Sequence, residues 1–367
     1  LRIELIRRPE RSAALSVLSP VIAILLTVVT GFVIFAAIGV DPFEALYVYF
    51  VEPLTAWWSI QDLIVKAVPI ILIAIGLSLC YRSNTWNIGA EGQLVAGAIA
   101  GSVVPILLPE AQGPWVLPAM LVMGIAGGML FAAIPAVLKT RFGANEILTS
   151  LMLVYVAQLF LDWLARGPWR NPEGHNFPDS RPFDGDQVLP VVFGDNVRLN
   201  AVFVLAVVVA AWFLLKRTIT GFQISALGQA PRAAAFAGFS RDRMVLLAFL
   251  ISGGLAGLAG ISEVAGPIGM LRTSVSPGYG FTAIIVAFLG RLNPVGILFA
   301  GLLLALSYMG GEGAQIALGI SDQITRVFQG LLLFFVLTAD TFIFYRVRFA
   351  RSRAGAAPAM EAKHGHA

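Results

Sequence analysis

About ten hydrophobic runs, most of them near the length needed to cross a bilayer, dominate this chain of 367 residues. A spanning helix needs about 20 mostly apolar residues. The runs fall at 17–40, 63–80, 88–108, 115–138, 144–164, 199–217, 244–264, 281–290, 295–312 and 323–345. Only 281–290 is too short to span alone. Charged residues make up 13% of the chain and hydrophobic ones 58%. Soluble domains carry about 25% charged residues, so too little charge is present to coat a globule in water. The same numbers exclude a disordered chain, which is charge-rich and poor in large apolar groups. The expectation is an all-α membrane protein, a polytopic bundle of about ten transmembrane helices, with the lipid bilayer as its main solvent.

The first run follows a basic start, LRIELIRRPERS, but its apolar core exceeds the 7–15 residues of a signal h-region, so it reads as a retained anchor. Residues 41–62 are acidic and aromatic, with Trp57 and Trp58 adjacent, as expected of an interfacial element. The formal net charge of +4 follows the rule that Lys and Arg collect on the cytoplasmic side. With the N-terminus inside and ten crossings, Arg7, Arg8, Arg11, Arg82, Lys139, Arg141, Lys216, Arg217 and the arginines from Arg346 onward share that side. Asp41, Glu52, Asp62, Glu110 and the acids from Asp179 to Asp195 fall outside. Both termini are then cytoplasmic. The division is a basic N-terminus (1–16), a transmembrane domain (17–346) and a disordered tail (347–367). Within the domain, 166–198 is an extracytoplasmic loop and 216–243 a cytoplasmic one. The basic excess is a topology signal, and no nucleic-acid partner is expected.

Several chemistries are absent. Cys80 is the single cysteine, so no intrachain disulfide forms. His175, His364 and His366 have no metal-ligand spacing, so no metal site is expected. The Lys139-Thr140 pair is preceded by AAIPAVL, without the glycines of a phosphate-binding loop. No nucleophile elbow occurs either. The chain is expected to have no catalytic residue, to need no cofactor and not to be an enzyme.

Two stretches interrupt the apolar runs. Residues 82–93, RSNTWNIGAEGQ, put Asn84, Asn87, Glu91 and Gln93 at membrane depth, which is costly unless they line a cavity or pack inside protein. An equally weighted reading is a cytoplasmic turn followed by a helix, with Asn87 as its N-cap and Glu91 near the positive end of the dipole. The second interruption, GPIGMLRTSVSPGYG at 266–280, precedes the short run. Gly89 to Gly101 and Gly278 to Gly290 have the same spacing, and Pro105 and Pro294 follow. Interrupted segments at matching places in two related halves point to a transporter's central path. Among the intramembrane acids Glu91, Glu146, Glu263 and Asp340, only Glu91 and Glu263 lie deep enough to need explaining.

The loop 216–243 is lined by Ala and Gly and studded with Arg. Pro231 is placed to open a short helix over Arg232 to Phe236, and Gly238 to end it. It reads as a docking element for a cytoplasmic partner, in preference to a surface loop that merely connects.

These residues carry a resemblance. NTWNIGAEGQLVAGAIAG (84–101) resembles the signature of permease subunits of nucleoside ABC importers, within the superfamily that holds ribose-type and branched-chain amino acid permeases. TGFQISALGQAPRAAAFAGF (220–239) resembles the superfamily's cytoplasmic loop, and GYGFTAIIVAFLGRLNPVGI (278–297) its third shared segment. Trp86 stands where Phe is more usual. The resemblance implies a second permease subunit, a cytoplasmic ABC ATPase and an extracytoplasmic substrate-binding lipoprotein of the basic-membrane-protein type as partners. It also implies a small-molecule substrate and a bacterial inner-membrane location. The residues expected to shape the path are Asn84, Trp86, Asn87, Glu91, Gln93 and Tyr279; those expected to couple to the ATPase are Gly221, Gly228, Pro231, Arg232, Ala233 and Gly238. A ribose-type importer would share fold and partners. A stand-alone proton-coupled carrier would instead use Glu91 or Glu263 as its coupling acid.

Overall fold

The computed structural model describes residues 2–7, 13–321 and 323–350. In chain order the elements are β1 (Arg2–Arg7), α1 (Ala13–Ala37), α2 (Pro42–Phe50), α3 (Trp57–Arg82), α4 (Ala90–Leu107), α5 (Val116–Phe142) and α6 (Glu146–Arg166). Then come β2 (Val191–Phe193), β3 (Val197–Arg198), α7 (Asn200–Arg217), α8 (Ile219–Gln229), α9 (Pro231–Phe236) and α10 (Arg241–Glu263). A π-helical turn (Val264–Ile268) precedes α11 (Tyr279–Leu289), α12 (Pro294–Leu318), α13 (Gln323–Phe344) and β4 (Tyr345–Ala350). Among the described residues, seven helices are long and apolar enough to cross a membrane: α3, α4, α5, α6, α7, α10 with its π-turn, and α12. Shorter apolar helices cover Val21–Ala37, Tyr279–Leu289 and Gln323–Ala339. The chain is an all-α polytopic membrane protein.

Helix α3 is apolar all round, and from Ala67 to Tyr81 every residue is buried, so it forms the axis of the bundle. Helices α10, α11, α12 and α7 pack around it. It begins six residues before the run at 63–80, so Trp57 and Trp58 form its first turn and not part of a separate interfacial segment. Their rings remain exposed, and Trp57 meets Phe193 edge-on at 5.6 Å.

The tightest packing joins α4, α5 and α10. Without a hydrophobic force between helices in lipid, close backbone approach through small residues drives association. Gly257 lies against the backbones of Gly124 and Gly128, and a Cβ on Gly97 would overlap the Gly257 backbone. Overpacking costs about 1–3 kcal/mol where side chains can move, and here the obstacle is main chain. Gly257→Val is expected to lower the thermal midpoint of the purified protein strongly, and an unchanged midpoint would show that the three helices are not held this way. A second cluster links α1, α2, α12 and α13 through Phe35, Tyr49, Ala314 and Phe328, with Tyr49 and Thr325 sharing a hydroxyl hydrogen bond of 2.7 Å.

Strands β1 and β4 pair antiparallel, Arg2 opposite Ala350 and Arg7 opposite Tyr345, so the two ends of the described chain lie together. Residues 347–350, expected to belong to a disordered tail, are thus in a strand; 351–367 and the side chain of Asp340 lie outside the described residues. The stretch 219–229, expected as plain loop, is helical (α8), capped by the Thr218 hydroxyl, which accepts from the Gly221 amide. α9 opens at Pro231 and ends at Phe236, with Gly238 just beyond at φ +79°.

Candidate functional site

Between α3 and α4 the chain runs through 83–89 without helix. Buried backbone N–H groups outside a helix need partners within the protein, and α6 supplies two of them. The Trp86 amide donates to Glu146 Oε1 at 3.4 Å and the Ile88 amide to Ser150 Oγ at 3.2 Å. Glu146 opens α6 and is held by an ion pair to Lys139.

Asn87 is fully buried. Its Nδ2 donates to Gln93 Oε1 (3.0 Å) and Ser252 Oγ (3.1 Å), while its Oδ1 accepts from Gln93 Nε2 (3.0 Å) and the Gly89 amide (3.0 Å). The N-cap position of α4 belongs to Gly89, not to Asn87. Gly89 presses against the Ser150 backbone, which sets the helix start, and Asn87 serves from two residues upstream through an Asx-type bond. Asn87 and Gln93 therefore bracket α4 to α10. Trp86 is half-exposed and continues an aromatic stack with Phe288 and Tyr81, while Asn84 sits in an exposed turn at φ +55°, apart from this network.

The second interruption begins where the π-turn departs from helical geometry at Gly266. The long 166–198 loop is zipped to it: Leu189 N donates to Ala265 O (2.7 Å), Phe183 N to Gly269 O (2.8 Å) and Ser180 N to Leu271 O (2.8 Å). Helix α11 then starts after Gly278, at φ +107°, with Ser276 Oγ accepting from the Gly278 and Tyr279 amides.

The two interruptions meet. The Gly280 amide donates to Glu91 Oε2 at 2.7 Å, and a Cβ on Gly280 would fall on the Glu91 backbone. The first turns of α4 and α11 thus abut, with the Glu91 charge at the positive end of the α11 dipole. From there a polar file extends across the bundle. Tyr279 packs edge-on against Tyr308 (5.7 Å), whose hydroxyl shares a hydrogen bond with Thr282 (2.8 Å), and Thr282 donates to Gln329 Oε1 (3.2 Å). Lys66 and Glu312 form an ion pair at 2.7 Å, 25% and 54% exposed. Such a pair within spanning helices requires water or protein, not lipid, beside it. Lys66, Tyr308, Glu312 and Gln329 were not singled out from the sequence; the polar residues 308 and 312, four apart on one face of an otherwise apolar helix, were the available signal. Among the described residues, no group of His, Cys, Asp and Glu is placed to hold a metal ion.

At the α8–α9 end, Gly228 lies directly on the Arg82 carbonyl, where α3 ends and the first interruption begins. The Arg82 side chain reaches the turn between α11 and α12, Nε donating to Leu292 O at 2.8 Å. One residue therefore joins α8 to the start of the first interruption and to the α11–α12 turn. Gly221 abuts the Leu214 carbonyl and seats α8 on the end of α7. On α9, Pro231, Arg232 and Ala233 face outward, and Phe236, which sequence reasoning passed over, is 94% exposed.

Comparison with known proteins follows the same lines. The family described as the permease component of branched-chain amino acid transport systems matches residues 59–337, well over half the chain. A glucose ABC transporter permease protein of Haloferax volcanii is 36% identical, over 100% of both chains. A nucleoside ABC transporter permease protein of Lactococcus lactis is 28% identical, over 87% of this chain and 90% of its own. A guanosine ABC transporter permease protein of Bacillus subtilis is 26% identical, over 92% and 96%. No solved structure matches the chain.

Proposed function

We propose, for a chain that belongs to the permease-component family of branched-chain amino acid transport systems, the role of the subunit through which an ATP-binding cassette importer carries nucleosides into the cytoplasm. The observation that carries this reading is the contact between the two interrupted helices, Glu91 Oε2 on the Gly280 amide, deep in the bundle. Helix ends facing one another at a break are where polar solutes can be received at membrane depth. The signature NIGAEGQ and the nucleoside and guanosine permeases among the relatives support the cargo. The 36% identity to a glucose permease over the whole chain favours a second reading, a sugar.

In either case the loop 166–198 faces the outside, where a substrate-binding lipoprotein delivers solute, and α9 faces a cytoplasmic ATPase. Both chain ends lie on the ATPase side, and a second permease subunit completes the path. Motion of the ATPase pushes α8 and α9, and through Gly228 and Arg82 displaces the first turn of α4 and the α11–α12 turn together. A solute moves only because its affinity differs between the outward and inward states. Coupling by Glu91 as a proton carrier fits less well, because its carboxylate is held by the start of α11. The cargo is tested by uptake into proteoliposomes holding the whole transporter, with labelled guanosine and labelled glucose in separate arms. Saturable ATP-dependent guanosine uptake that unlabelled glucose does not compete is the expected result; glucose uptake alone would establish the sugar reading instead.

A further inference from the structure

Glu263 ends α10 immediately before the π-turn and is buried, yet its Oε2 meets no hydrogen-bond partner. Lys66, the cation close enough to feel its charge, is engaged by Glu312 at 2.7 Å. A second side chain at the same turn shares this condition. Asn200, the first residue of α7, is 1% exposed with neither Oδ1 nor Nδ2 partnered, and its amide nitrogen is among the first atoms a side chain on Gly266 would meet. Buried polar groups are almost always paired, and an orphaned one is costly. Two orphaned groups therefore flank one π-turn, a type of helix defect that recurs at functional sites. The outer loop closes over that turn through the Leu189–Ala265 bond, and Arg198 of the same loop also lines a surface cavity of about 500 Å³ with Leu189, Pro190 and Asp186.

We infer that Glu263 is a substrate-reading residue: its free carboxyl oxygen makes hydrogen bonds with ring hydroxyls of the solute, with the Asn200 amide at the same turn as a second partner. The inference rests on the importer reading above and names what its two cargo readings share, a sugar ring bearing neighbouring hydroxyls. A carboxyl group and an amide each offer hydrogen-bonding groups to two neighbouring hydroxyls.

The test uses the assembled transporter in lipid nanodiscs without its binding protein, titrated by saturation-transfer NMR. The probes are guanosine, its dideoxy analogue lacking both ribose ring hydroxyls, glucose and the singly deoxygenated glucoses. With wild-type protein, loss of ring hydroxyls is expected to weaken binding about tenfold, the worth of one hydrogen bond. Glu263→Gln is expected to weaken the parent compound by a similar factor and leave the deoxy analogue unchanged, so that the discrimination collapses. ATP hydrolysis by the same preparation reports assembly; if Glu263→Gln does not assemble, Asn200→Ala is measured in its place, with the same collapse of discrimination expected. Discrimination in the guanosine arm or the glucose arm supports the inference and identifies which ring is read. Equal binding of parent and deoxy probes, no binding of any probe, or wild-type discrimination in Glu263→Gln overturns it. Failure of the importer reading shows separately, as absence of ATP-dependent uptake by the wild type.

Discussion

Replacing Gly280 with alanine is expected to cut solute uptake by about tenfold or more while the chain still inserts in the membrane. The added Cβ falls on the Glu91 backbone, which belongs to the first turn of α4 and cannot rotate away as a flexible side chain would. Overpacking costs about 1–3 kcal/mol where neighbours can yield, and here the part that yields is the contact itself. Separating the turns also removes the 2.7 Å bond from the Gly280 amide and leaves the Glu91 carboxylate short of a donor at depth. Uptake and surface expression measured side by side check this. Wild-type uptake by Gly280→Ala would mean that the meeting of α4 and α11 has no part in transport.

Gly228→Trp is expected to separate ATP hydrolysis from transport. Gly228 rests on the Arg82 carbonyl with no room for a side chain, so an indole there lifts α8 off the end of α3. The Arg82 side chain, which also holds the Leu292 carbonyl, then no longer passes a displacement of α8 to the first interruption and the α11–α12 turn. Solute uptake should fall by about tenfold or more, the effect of about 1.4 kcal/mol on the rate-limiting barrier, while hydrolysis persists. Arg232→Glu offers a companion that disturbs no packing, because Arg232 is exposed on α9. It should weaken the same coupling by reversing one charge on the docking face. Normal uptake by both variants would remove α8 and α9 from the mechanism.

Each apolar run is bounded by charge or turn residues, so α4 to α7 begin and end within a few residues of the runs. Helix α3 starts six residues early, and seven helices, not ten, are long enough to span among the described residues. The caps on α2, α6 and α12 were equally local: Asp41, Asn145 and Asn293 each sit just before a helix and accept from its first amides. What the sequence withheld depends on distant partners. Glu91 and Gly280 are 189 residues apart and Lys66 and Glu312 are 246 apart, and no local pattern pairs them. Strands β1 and β4 pair across nearly the whole chain, which hid a short alternating segment at each end. Asn87 was legible as polar at depth, but its placement two residues before the cap depends on how closely Gly89 meets Ser150 on α6. Helix α8 was missed because ITGFQISALGQ is half-buried against α7 and α3, and has neither a long apolar run nor a strong polar face.

The most direct measurement is uptake into proteoliposomes containing this chain and its paired permease, with solute supplied on the binding protein, in the presence and absence of the cognate ATPase. Uptake that requires the ATPase and hydrolysable ATP, and is indifferent to an imposed proton gradient, is the predicted result. Uptake that continues without the ATPase and follows the proton gradient would contradict the importer reading and return Glu91 and Glu263 to the role of coupling acids.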